Sequence, residues 1–157
     1  MKTFFRAGLV LVALAGAAAA AETPLEGDLG RLQGRWSARV GPQDDIRVEM
    51  TVEGQRVKLV ISTPQGLTIR ARGLLHIDET RLPRTLDWTD FKSMDGRTLP
   101  EILAIYRIDE QGWTICNGGP NGTRPEAFRA GDGLLAGVVL FKRTEIKTSQ
   151  TTPKPKS

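Results

Sequence analysis

The feature that most constrains this chain is a strict alternation of apolar and polar residues in its first half. Ile46, Val48, Met50 and Val52 alternate with Arg47, Glu49, Thr51 and Glu53, and after Gly54-Gln55 the pattern resumes with Val57, Leu59 and Ile61 against Arg56, Lys58 and Ser62. A period of two is that of a strand with one face buried and one in water, and two such runs around a short glycine-bearing loop form a hairpin. Thr63-Pro64-Gln65-Gly66 supplies the next turn, since proline fixes φ and glycine admits positive φ. Leu67, Ile69, Ala71, Gly73, Leu75 and Ile77 form the next inward set.

The second half continues in the same style. Residues 85–88 form a short strand, 102–108 a well-covered one, and 109–112 turn the chain into 113–116. Residues 117–124 are a loop rich in Gly, Asn and Pro, 126–129 a short strand, and 134–143 the last strand. Only residues 24–32 show helical character. About eight or nine strands with regular turn signals place the chain among all-β sandwiches or barrels, and short connections favour sequential antiparallel pairing.

The N-terminus limits the compartment. Lys2 and Arg6 flank a basic start, residues 7–18 are apolar and uncharged, and Ala19-Ala20-Ala21 ends the run in small residues. This is the layout of a cleavable secretory signal, residues 1–21, which places the rest in the periplasm or outside the cell. The apolar run is too short for the roughly 20 residues of a spanning helix, so no stable membrane insertion is expected. Residues 144–157 are polar and read as a disordered tail. The domain is therefore 22–143. Its charge is balanced: of 22 basic and 18 acidic residues in the chain, 17 of each lie in 22–143. A nucleic-acid binder would carry a basic excess on the folded domain, so nucleic acid is not an expected partner. The single cysteine, Cys116, cannot form an internal disulfide.

Reaction chemistry finds little support. There is no Gly-x-Ser-x-Gly, the one histidine (His76) reads as surface-facing, and a His76–Cys116 pair would require the two to meet in space. Zinc prefers clustered His and Cys, and Asp87, Asp90 and Asp95 follow no calcium-loop pattern, so neither metal nor cofactor is expected. The glycine-rich stretch 118–123 lacks the Lys-Ser/Thr ending of a phosphate loop. No enzyme is expected, and the aromatic residues carry the binding hypothesis: Trp88, Tyr106, Trp113 and Phe128 are the candidate lining of a ligand site, against the reading that aromatics merely fill a barrel interior.

Leu32-Gln33-Gly34-Arg35-Trp36, at the start of the first strand just after a short helix, has the Gly-x-Trp of lipocalin-like proteins. With residues 85–88, 97–100, 105–108, 113–116, 124–128 and 140–143 in order, the chain resembles a family of small secreted, lipocalin-like proteins of unknown function abundant in planctomycetes. It departs from them in a long, irregular polar segment at 78–94. The resemblance implies an up-and-down barrel with a short N-terminal helix. It also implies a clasp in which an arginine of the last strand, Arg143, with Lys142 as the near alternative, packs on Trp36 at the closed end. The function expected is an exported, monomeric module binding a small apolar molecule. The alternative is an interaction or inhibitor protein that meets an envelope protein through residues 78–100 or 117–124.

Overall fold

The computed structural model describes residues 25–120, 122–129 and 137–144. A short helix, α1 (Gly27–Leu32), leads into eight strands: β1 (Gly34–Val40), β2 (Ile46–Glu53), β3 (Arg56–Ser62), β4 (Thr68–Asp78), β5 (Arg84–Ser93), β6 (Ile102–Asp109), β7 (Gly112–Pro120) and β8 (Gly137–Arg143). Each pairs antiparallel with the next, and β8 returns to β1, closing the barrel. The expected secretory signal, residues 1–21, and the expected tail from 145 onward lie outside the described residues. Thr144, placed at the head of that tail, donates its backbone N–H to the Arg35 carbonyl at 2.9 Å.

Alternation places Val48, Met50 and Val52 of β2, Val57 of β3 and Ala71 and Leu75 of β4 in one core with Trp36, Leu86, Tyr106, Trp113, Ile115 and Phe141. The residues that alternate with them along the strands, Glu49, Lys58 and Arg72, face solvent.

Three expectations are corrected. Residues 78–94 are not a long irregular segment: β5 occupies Arg84–Ser93, leaving only 79–83 between strands. The sequence disguises it because Asp90 adopts φ 55°, where β4 and β5 slip register, so Phe91 rather than residue 90 follows Trp88 on the inner face. A bulge of this kind breaks the period-two pattern by which strands are recognised. Phe91 then crosses directly over Gly73, where a Cβ would meet the ring at 2.1 Å; that is why a glycine stands in the middle of β4. Residues 126–129 form no strand, because both edges of β7 are already paired and a closed barrel offers no edge for a ninth. The loop expected at 117–124 begins later, since β7 runs on to Pro120.

Candidate functional site

The two ends of the barrel differ. At the end where β1 begins, α1 lies across the opening and buries Leu32. The carbonyls that a helix C-terminus leaves without intrahelical donors are all engaged. The Gln33 side chain takes Leu29 O at 2.7 Å and clips the β2–β3 turn at Gly54, accepting from its N–H at 2.7 Å and donating to its carbonyl at 3.1 Å. The Trp36 indole N–H donates to Leu32 O at 2.8 Å. Arg143 donates to Gln33 O at 2.7 Å and to Arg31 O, and its guanidinium carbon lies 4.4 Å from the Trp36 ring centroid. The Gly-x-Trp glycine has a physical reason here. Gly34 has φ +109°, and a Cβ on it would press the Arg143 guanidinium at 3.1 Å.

Below the helix lies a polar group that sequence reading did not single out. Asp28, 4% exposed, accepts from Arg84 at 2.7 Å and Tyr106 at 2.9 Å through one oxygen, and from Arg31 at 3.2 Å through the other. Its backbone N–H donates to Glu79 at 2.6 Å. Burial first, then the hydrogen bond to Asp28, raises the Tyr106 pKa far above the ordinary phenol value. The arrangement holds the helix on the barrel by linking α1, β4–β5 and β6. A surface pocket of about 480 Å³ at this end, lined by Arg31, Trp36, Ile108, Glu110, Lys142 and Arg143 among others, carries both signs of charge and is floored by the clasp.

Of the four aromatic candidates for ligand contact, only Trp88 and Trp113 come together. Trp113 is 0% exposed, with Trp36 at 5.6 Å, Phe141 at 5.8 Å and Trp88 at 6.0 Å between ring centroids, and Tyr106 is 1% exposed on Asp28. Both are enclosed in the packing of the helix-end half of the barrel. Phe128 is outside the barrel. It lies under the Arg107 guanidinium at 5.0 Å, in a strap that covers the outer face of β6 and β7, away from the other three. Trp88 alone sits on the inner face and is half-buried; its N–H donates to Asn117 at 3.1 Å and its ring meets Phe91 edge-on at 5.9 Å.

The strap itself was not foreseen. Arg124 donates to Leu86 O at 3.3 Å and Ala104 O at 2.6 Å and pairs with Asp87 at 2.6 Å, fixing residues 122–129 across β5–β7. Beneath it Cys116 is fully buried, its thiol within reach of the Ala127 and Arg129 carbonyls. His76 is exposed on β4, opposite Asp87, with β5 and β6 between it and the β7 cysteine, so the two do not meet. Asp87, Asp90 and Asp95 also disperse: Asp87 pairs with Arg124, and Asp95 with Ser93 and Arg97.

At the opposite end, the mouth, the inner face stays apolar and, among the described residues, is only partly covered. Val40, Leu59, Ile61 and Leu99 are half-buried against the core, and Ile69, inward by register with Ile61, is 40% exposed. Trp88, bonded to Asn117, and Phe91 complete this half of the inner face. Comparison with protein-family models, curated proteins and solved structures finds no match, which leaves this geometry as the ground for a functional reading.

Proposed function

We propose that the protein is a non-enzymatic binding module, exported to the periplasm or beyond the cell, that takes a small apolar molecule at the mouth of its barrel. The observation that carries the reading is the gradient along the inner face. It is sealed by aromatics at the helix end and, among the described residues, remains apolar and half-exposed from Ile69 and Ile61 down to Trp88. Apolar concave surface with one placed polar group, here the Asn117 amide beside the Trp88 indole, is the usual make-up of a ligand site. An eight-stranded barrel has room for side chains or one small ligand. Here Trp36, Trp113 and Phe141 take the lower part, so the ligand is short or inserts only one end. The secretory layout of residues 1–21 and the lipocalin-like series of motifs support the same reading.

The loop-based alternative loses support at the end of its 117–124 segment, because Arg124 ties the chain down there instead of presenting it. Native mass spectrometry of protein purified from its host, before and after organic extraction, tests the mouth as a binding site. One apolar adduct, lost on extraction and excluded by Ile69→Asp, is expected. A bare mass, together with no binding of the probe anilinonaphthalene sulfonate by the extracted protein, overturns the proposal.

A further inference from the structure

The balanced charge of the domain conceals a cationic row that only the strand register makes visible. On the outer face Lys58 of β3 stands directly opposite Arg72 of β4, and Arg72 directly opposite Lys92 of β5. Arg70 lies two residues nearer the mouth on the same face, and all four are exposed. Directly opposed side chains have Cβ atoms about 5 Å apart, and like charges so placed destabilise a sheet. Three in a row therefore cost the fold stability, and little in the described structure offsets it. Glu53 pairs with Lys58 at 3.0 Å, and Asp95 is taken by Arg97 at 3.0 Å. Among the described residues Arg70, Arg72 and Lys92 form no ion pair; Arg72 reaches only the Met94 sulfur, at 3.3 Å.

Apolar tips stand beside this row. Leu67 in the β3–β4 turn is 58% exposed and Met94 in the β5–β6 turn 64%. The two turns are neighbours at the mouth, since Met94 N–H donates to Arg70 O at 2.9 Å. We propose that this face docks on an anionic lipid bilayer, with Arg70, Arg72 and Lys92 at the headgroups and Leu67 and Met94 entering the interface. Cations beside exposed apolar tips match a surface that is negative outside and apolar just beneath. A soluble polyanion would use the charges and gain nothing from Leu67 and Met94. The proposal stands whether or not the mouth holds a ligand.

Flotation with vesicles of equimolar phosphatidylcholine and phosphatidylglycerol, against phosphatidylcholine alone, tests it in otherwise identical full-length chains. Each cation near an anionic surface contributes roughly a fivefold factor, so the combined Arg70→Gln, Arg72→Gln and Lys92→Gln variant should lose about a hundredfold in partitioning to anionic vesicles. Its preference over neutral vesicles should vanish, while Leu67→Asn with Met94→Gln weakens binding to a lesser degree. Relief of like-charge contact should leave Tm of the triple variant unchanged or raised, which separates lost docking from lost folding. Unchanged partitioning of the triple variant overturns the proposal. So does full binding by the Leu67→Asn, Met94→Gln variant together with equal binding of the parent chain to soluble heparin, which reassigns the face to a soluble polyanion.

Discussion

At the residue scale the clasp is the most self-contained device in the molecule. Arg143 stacks on Trp36 while donating to two carbonyls at the end of α1, combining a cation–π contact with the favourable placement of a cation at a helix C-terminus. Its side chain is exposed, so the contribution is modest: Arg143→Ala should lower stability by about 1–2 kcal/mol. Arg143→Lys should recover only part of this, because a lysine cannot stack and fork at once. Urea titrations of the three proteins measure it; equal midpoints would show the contact to be incidental. Tyr106 supports a second prediction, and as the only tyrosine in the chain it reports on itself. Its pKa is raised in the folded state, so folding favours the neutral phenol. That contribution is whole below the unfolded phenol value of about 10 and is lost as pH climbs above it. Alkaline titration should therefore show no tyrosinate absorbance while the barrel is folded, then a cooperative rise with unfolding; a smooth titration near pH ~10 in the folded protein would contradict it. The Trp36–Arg143 pairing was legible because a resemblance supplied the motif and an up-and-down topology joins first strand to last. The Asp28–Tyr106 bond was not: nothing local links residues 78 positions apart.

At the scale of elements, strands β2 to β4 were legible because each is half-buried and keeps its period. β5 was legible only over 85–88, since the bulge at Asp90 shifts Phe91 onto the inner face and the polar residues around it imitate a loop. The same limit hid the cationic row: period two puts Lys58, Arg72 and Lys92 outward one strand at a time, but register sets them side by side. The strap over β6 and β7 escaped for a different reason. Ile105 and Cys116 are wholly buried though they point away from the barrel interior, so a two-sided apolar strand signals a cover without saying which segment provides it. Arg124 holds that cover through two carbonyls and Asp87. Cys116 should therefore be inert to a thiol reagent such as dithionitrobenzoate in the native protein. Arg124→Ala should make it reactive well below the unfolding transition, by freeing residues 122–129 while the barrel stays closed. If reactivity in the variant appears only with global unfolding, Arg124 is not what retains the strap.

For the whole molecule the decisive step is closure. The β1–β2 ladder spans seven residue pairs, whereas β1 and β8 are registered only through Trp36 with Arg143 and Ser37 with Lys142. The seam is thus short and concentrated at the helix end, where the clasp crosses it. Its bonds join residues 110 and 112 positions apart. The hairpins of β2, β3 and β4 close over a few residues and come at little entropic cost; bringing the ends of the chain together comes at the largest cost. Once the intervening ladder has formed, however, β8 is delivered to β1 and the remaining search is small. The seam should therefore form after the rate-limiting step, and its loss should act on unfolding rather than folding. In stopped-flow kinetics across urea, Arg143→Ala should raise the unfolding rate by about 5- to 30-fold, the equivalent of 1–2 kcal/mol, while the folding rate changes less than about twofold. A folding limb that slows in proportion to the lost stability would place the clasp in the transition state, making closure the nucleus of the barrel instead of its last act.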